Sequence, residues 1–131
     1  MGYPPRLEGT VVSGDRRGRG LGFPTANLAF DYEPAMPPLG IYVGHVTVAE
    51  RGVGPGHPAL VSIGVRPTFH EHGRVLVEAY LLDYDGDLYG AHLAIDLASR
   101  LRDELRFTDV GALVDQMRRD EAAGRAYLGL G

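Results

Sequence analysis

The chain has 131 residues, contains no cysteine and carries a formal net charge of −4 at pH 7. The lack of cysteine excludes disulfides, thiolate metal sites and cysteine nucleophiles, and the net negative charge argues against a nucleic-acid partner. No apolar run approaches the roughly 20 residues that span a bilayer and the amino terminus lacks a signal peptide, so we expect one cytoplasmic domain over residues 1–131 without a membrane partner.

Five segments have the alternating apolar pattern and the β-branched content of strands. In chain order they are 7–13, 41–48, 59–65, 75–82 and 93–97. The stretches between them are rich in turn-forming residues, including 52–58 and a hairpin-like Asp85-Gly86. Because no helical crossover separates the strands, the pattern predicts an antiparallel sheet or barrel.

One helix is predicted near the end of the chain, where Thr108 is placed to cap its start. Apolar residues recur there at helical spacing, at Val110, Leu113, Val114 and Met117. Charged residues occupy the other face, which we interpret as solvated surface: Asp115, Arg118, Arg119 and Asp120. The stretch 98–106 is ambiguous, and we interpret it as a strand that runs into a loop.

A loop rich in glycine and arginine precedes the segment Phe23-Pro24-Thr25-Ala26-Asn27. Its glycines are Gly14, Gly18, Gly20 and Gly22. Glycine lets backbone N–H groups approach an anion closely, and arginine adds charged donors, so the loop is a candidate phosphate cradle. A flexible loop between strands has the same composition, and the P-loop and dinucleotide-binding patterns are both unmatched.

Thr25 and Asn27 are two residues apart, so on an extended segment their side chains share a face. A hydroxyl and an amide carbonyl are neutral oxygen ligands of the kind that Mg²⁺ takes when it is shared with nucleotide phosphates. Both residues are also ordinary turn formers beside a proline. The pair is therefore a candidate magnesium site.

Glu78 is a carboxylate on a largely apolar strand face. Such a group lies either in solvent at a barrel rim or semi-buried, where it can act as a general base. Two other polar clusters are interpreted without a metal, 83–87 as a hairpin turn and 70–72 as a solvated loop. The segment from Asp83 fails as a calcium loop because Leu88 and Ala94 replace the required glycine and glutamate, and His70-Glu71-His72 has no further ligand nearby in sequence.

Several blocks of sequence, in order along nearly the whole chain, carry a resemblance to one family. The most specific block is 22–27, and the others include 9–15, 38–42, 63–69, 77–78, 87–90 and 101–104. Together they resemble the bacterial riboflavin kinases, a family that also forms the carboxyl-terminal half of bifunctional FAD synthetases. The resemblance implies a six-stranded antiparallel Greek-key barrel with a carboxyl-terminal helix, one strand more than the pattern predicts.

The resemblance also implies an activity, namely Mg²⁺-dependent transfer of the ATP γ-phosphate to the ribityl 5′-hydroxyl of riboflavin, which gives FMN and ADP. Carried over by position, it implies that Glu78 is the general base and that Thr25 and Asn27 hold Mg²⁺. The implied nucleotide-binding residues are Gly14, Arg19, Gly22, Phe23, Pro24, Thr25 and Asn27. The implied riboflavin-binding residues are Arg102, Glu104, Phe107 and Leu113.

Three positions depart from the family pattern, Arg16, Gly20 and Ser62, and none removes a metal ligand or the base. The adenylyltransferase half of the family is absent, and the chain could be part of a longer bifunctional FAD synthetase. A non-catalytic flavin- or nucleotide-binding regulatory module with the same fold is the alternative. An RNA-binding barrel lacks the basic charge and the aromatic pattern that such proteins need.

Overall fold

The structure, a computed structural model, describes residues 6–14, 26–30, 38–66, 74–84, 86–103 and 109–130. Its strands are β1 (Leu7–Gly14), β2 (Ala26–Ala29), β3 (Gly40–Val48), β4 (Val53–Arg66), β5 (Arg74–Leu81) and β6 (His92–Arg102). A single 3₁₀ turn, Ala49–Arg51, joins β3 to β4, and one long helix, α1 (Val110–Leu128), follows β6.

The six strands close into a barrel in the order β1-β2-β5-β4-β3-β6, and every neighbouring pair is antiparallel. The consecutive strands β3, β4 and β5 form a meander, with β2 beside β5 and β6 beside β3. This arrangement is the Greek-key connectivity. The predicted barrel with a carboxyl-terminal helix is therefore confirmed.

Two parts of the barrel differ from the strands that the pattern predicts. Strand β2 was missed, and β4 begins at Val53, inside a segment predicted to be a turn. Strand β5 ends at Leu81, opposite Ala59, so residues 53–57 of β4 have β3 as their strand partner, and the backbone oxygen of Pro58 accepts a hydrogen bond from the N–H of Leu82 just after β5. At such an edge a proline costs no hydrogen bond on its open side, which explains how a strand tolerates this composition.

The interpretation of Asp85-Gly86 as a hairpin turn was wrong. The two strands that this segment connects, β5 and β6, are not neighbours, because both edges of β5 are occupied by β2 and β4. The chain instead crosses to the far side of the barrel, where β6 closes it between β1 and β3.

The apolar core has two parts, one inside the barrel and one between the barrel wall and α1. The inner cluster is built from alternate residues of the strands, including Val61, Ile63, Val77 and Ala79. The outer cluster consists of Val43, Leu60 and Leu82, against which Tyr80 and Leu128 pack. Consecutive residues of β3, Tyr42 to Gly44, are buried because one face points inward and the other lies under the helix.

Helix α1 has defined caps at both ends. The side chain of Asp109 accepts a hydrogen bond from the backbone N–H of Ala112 at 2.9 Å, and the left-handed Gly129 (φ 73°) ends the helix. The prediction of Thr108 as the cap was wrong: Asp109 takes that role, and Thr108 lies outside the described residues. Gly124 packs directly against the side chains of Leu60 and Val43, which brings the second half of α1 onto the barrel.

Candidate active site

A row of register partners crosses the outer wall of the barrel. Asn27 of β2 pairs with Glu78 of β5, Glu78 pairs with Ser62 of β4, and Ser62 pairs with Ile41 of β3. Ile41 in turn pairs with Arg102 at the end of β6. The strand neighbours of the first four members, among them Leu28, Val77 and Ile63, belong to the inner core, so these four residues face outward. Arg102 lies toward α1, where its guanidinium reaches Asp120. We call these five residues the Glu78 row.

Asn27 and Glu78 form the polar centre of the Glu78 row. Directly paired residues on one sheet face have Cβ atoms about 4.5–5.5 Å apart, which brings an amide and a carboxylate side by side. Neither side chain lies in open solvent: both residues are half-buried, and Oδ1 of Asn27 and Oε2 of Glu78 are fully buried atoms. Of the two positions that the sequence left open for Glu78, a solvated barrel rim and a semi-buried site, the structure shows the semi-buried one.

The glycine-rich segment is attached beside this centre. Gly14, the last residue of β1, pairs with Ala26, the first residue of β2, and Ala26 pairs with Ala79 next to Glu78. Gly14 and Ala26, the described residues on either side of segment 15–25, thus lie next to the Glu78 row. Five of the predicted nucleotide-binding residues belong to this segment and lie outside the described residues: Arg19, Gly22, Phe23, Pro24 and Thr25.

Helix α1 borders the Glu78 row on the other side. Tyr80, on the same strand face as Glu78, is partly buried and has its pKa raised, first by burial and then by the carboxylate of Glu121. Arg125 donates hydrogen bonds to Asp83, just after β5, at 2.5 and 3.1 Å, and to Glu121 at 2.9 Å. The hydrogen bond from Arg125 lowers the pKa of Asp83 below its ordinary value. These contacts fix the carboxyl-terminal end of the helix next to β5.

The predicted riboflavin-binding residues have different positions. Arg102 ends β6, and its guanidinium donates to both carboxylate oxygens of Asp120 on α1. Leu113 is half-buried in the first half of α1, whereas Glu104 and Phe107 lie outside the described residues. The prediction that Asp120 belongs to a solvated face was wrong, because Arg102 and the barrel wall cover it.

Tyr80 and Gln116 were missed by sequence reasoning, and only the helix packing makes them visible. Gln116 donates a hydrogen bond to Asp120 at 3.0 Å. Its position four residues before Asp120 was a signal that could have paired the two on one helix face.

Within the described ranges, no three His, Cys, Asp or Glu side chains group in a way that could hold a metal. The segment His70-Glu71-His72 lies outside those ranges. A magnesium ion shared with phosphates needs only one or two protein oxygens, and Asn27 beside Glu78 supplies oxygens of that kind. The donor set thus fits Mg²⁺ shared with a ligand and does not form an all-protein cage.

The comparisons with known proteins point to one family. The flavokinase family model, described as riboflavin kinase, matches residues 1–128. The chain belongs to the riboflavin kinase family. The bifunctional riboflavin kinase/FMN adenylyltransferase of Listeria monocytogenes is 38% identical over 127 residues, a match that covers 97% of this chain and 39% of the relative. The riboflavin kinase resemblance of the sequence is therefore confirmed.

Two crystal structures have the same riboflavin kinase-like fold. Riboflavin kinase from Trypanosoma brucei superposes with a TM-score of 0.65 at 31% identity, covering 98% of this chain and 83% of that one. A Streptococcus pneumoniae structure described as a macrolide-efflux protein superposes with a TM-score of 0.81 at 35% identity, covering 95% of this chain and 39% of that one. In the part of the chain that the structure describes, α1 is not long and apolar enough to cross a membrane.

Proposed function

We propose that this chain is a riboflavin kinase that transfers the γ-phosphate of ATP to the 5′-hydroxyl of the ribityl chain. The products are FMN and ADP. The observation that carries this proposal is the family match over residues 1–128 together with the pairing of Asn27 and Glu78 on one barrel face.

Glu78 is the proposed general base. The ribityl oxygen attacks the γ-phosphorus, the bond from that phosphorus to the bridging oxygen of ADP breaks, and the hydroxyl proton passes to the Glu78 carboxylate. A carboxylate with one fully buried oxygen has less access to bulk water, which favours proton transfer from a bound alcohol over exchange with solvent. Ser62 adds a hydroxyl on the side of Glu78 opposite to Asn27.

Asn27 is the proposed magnesium ligand among the described residues, with Thr25 as its partner. Mg²⁺, when bound with the nucleotide, neutralises charge on the phosphate oxygens. Asn27 adjoins the base directly, so a magnesium ion held by its side-chain oxygen would keep the phosphates close to the hydroxyl that Glu78 deprotonates. This short separation is the requirement of an in-line transfer between two bound substrates.

The nucleotide is proposed to lie against the glycine-rich segment. This proposal is supported by Gly14 and Ala26, which flank the segment in sequence and lie beside the Glu78 row. Backbone N–H groups and Arg19 would then bind the phosphates. The proposed contacts are those of Gly14, Arg19, Gly22, Phe23, Pro24, Thr25 and Asn27.

Riboflavin is proposed to lie between the chain that follows Arg102 and the first half of α1. Leu113, Val114 and Met117 are only partly buried, and none belongs to either apolar cluster of the described core. They offer apolar surface of the kind that a flavin ring covers. Glu104 and Phe107, which follow Arg102 in sequence, complete the proposed riboflavin contacts.

The direct test is to incubate the protein with riboflavin, ATP and Mg²⁺ and to separate the flavins by chromatography. We expect ATP-dependent FMN that disappears when a chelator removes Mg²⁺. Binding of riboflavin without FMN would instead support the non-catalytic module. The adenylyltransferase activity named in the Listeria relative is outside this proposal.

A further inference from the structure

Asp120 is a charged residue that is buried under the barrel contact of α1, with 7% of its surface exposed. Its Oδ1 accepts a hydrogen bond from Nε of Arg102 at 2.7 Å, and its Oδ2 accepts one from Nη2 at 2.6 Å. Nε2 of Gln116 donates a third hydrogen bond to Oδ1 at 3.0 Å. A carboxylate in this position is held by three directional contacts.

The guanidinium of Arg102 donates its hydrogen bonds to other groups of the protein. Nε and Nη2, the pair of donors that forms a bidentate fork, are both bound to Asp120, and Nη1 donates to the backbone oxygen of Asp103 at 2.8 Å. The two donors with which Arg102 would bind a substrate in bidentate fashion are therefore already bound to Asp120. The geometry assigns Arg102 a different role from that of a direct flavin ligand.

The Arg102–Asp120 pair joins two parts of the proposed riboflavin site. Arg102 is the last residue of β6 and the end member of the Glu78 row, whereas Asp120 lies in the middle of α1. Other described contacts of α1 with the barrel, among them those of Gly124, Arg125 and Leu128, lie further toward its carboxyl terminus. The pair is thus the fixed point nearest to the half of the helix that carries Leu113.

Stability alone does not account for an ion pair in this place. Removing two charges from water costs about as much free energy as their attraction returns, and apolar side chains of similar size would hold a helix equally well. A bidentate pair differs in that two parallel hydrogen bonds fix both a distance and an orientation. The pair therefore fixes the distance and the orientation between the end of β6 and the middle of α1.

We propose that Arg102 and Asp120 are a positioning pair that holds the first half of α1 beside the Glu78 row and so sets the affinity for riboflavin without touching it. This inference rests on the proposed function, in which riboflavin lies between the chain that follows Arg102 and α1. Both residues act through the helix, and neither takes part in the phosphate transfer.

The test compares Arg102→Lys, Asp120→Asn and the double variant with the wild-type protein. Lysine keeps the charge but loses the fork, and asparagine keeps the shape but loses the charge. We expect each variant to raise the KM for riboflavin by roughly tenfold or more, while the KM for ATP stays within about twofold. The double variant should resemble the single variants, because either change breaks the same pair.

Asp83→Asn is the matched control. It removes an ion pair between the same helix and the barrel at the carboxyl-terminal end, where Asp83 is largely exposed. We expect both KM values of this variant to match the wild type. Arg102→Lys keeps the result readable if Asp120→Asn does not fold, and the quenching of riboflavin fluorescence on binding gives the affinity without turnover.

Two results would overturn the inference. One is an unchanged riboflavin affinity in both single variants with a lower melting temperature, which would make the pair purely structural. The other is a loss in Arg102→Lys that Asp120→Asn lacks, which would mean that Arg102 contacts riboflavin directly. If the wild-type protein binds riboflavin but forms no FMN, the proposed function is contradicted, and the riboflavin affinities of the variants can still be compared. If the wild-type protein does not bind riboflavin, both proposals are contradicted.

Discussion

Gly124 is a point of close approach between α1 and the barrel, and Gly124→Ala tests that contact. A Cβ at this position would lie 2.7 Å from Cδ2 of Leu60 and 3.3 Å from Cγ1 of Val43. Both neighbours are buried members of the outer apolar cluster, so Leu60 has little room to turn away. The added methyl group therefore has to push the helix or the leucine out of place.

Two opposing effects set the size of the change. Alanine in a helix is favoured over glycine by about 1 kcal/mol, and overpacking a filled core costs about 1–3 kcal/mol. We expect a net loss of about 1 kcal/mol, which lowers the melting temperature of a domain of this size by roughly 3–5 °C.

The sign of this effect depends on Leu60. In a Leu60→Ala background Cδ2 is absent, so Gly124→Ala should stabilise the protein by about 1 kcal/mol through helix propensity alone. Ala123→Gly, at an exposed position of the same helix, calibrates the propensity term. Thermal unfolding followed by circular dichroism measures all variants. A Gly124→Ala protein more stable than the wild type, or equal effects in both backgrounds, would refute the close contact.

Three further predictions follow from the same structure. The hydrogen bond from Arg125 lowers the pKa of folded Asp83 from 3.8, so the stability from this pair is present above pH 3.8 and is lost as pH falls through the folded pKa. Asp83→Asn, in which asparagine tolerates the local φ of 56°, should therefore melt at a lower temperature than the wild type near neutral pH and at the same temperature in strong acid. Burial raises the pKa of Tyr80 above 10.0, so the protein loses stability as pH rises beyond 10.0. The melting temperature of Tyr80→Phe should therefore fall less between pH 10 and higher pH than that of the exposed control Tyr127→Phe. Asn27→Ala should raise the Mg²⁺ concentration needed for half-maximal FMN formation, whereas the exposed Thr10→Ala should not, and equal requirements in both would place the metal elsewhere.

The sequence predicts the strands best where apolar alternation is long and undisturbed, as in β3 and β5. Strand β2 escapes prediction because its four residues, Ala26 to Ala29, contain no β-branched side chain and derive their conformation from β1 and β5 on either side. The start of β4 is not predicted because Pro55 and Pro58 suggest a turn. These prolines fit in a strand there because β5 does not extend along this part of β4, which the sequence does not reveal.

The sequence suggests the members of the candidate site one by one, but it does not reveal their arrangement. Glu78 was recognisable as a carboxylate on an apolar strand face and Asn27 as an oxygen donor, yet no local pattern reveals that they are register partners. Asp120 was predicted to be solvated because the spacing of charged residues along a helix does not show that an arginine from another element covers one of them. That partner comes from β6, and only the packing of α1 on the barrel brings the two together.

The central claim is that Glu78 accepts the proton of the riboflavin hydroxyl, and FMN formation by Glu78→Gln tests it most directly. Glutamine keeps the size of the side chain but cannot take the proton, so turnover should fall by roughly 10²-fold or more while riboflavin and Mg²⁺–nucleotide still bind. Riboflavin binding, followed by its fluorescence, shows that the variant is folded. Turnover near the wild-type rate in a variant that binds both ligands would contradict the account.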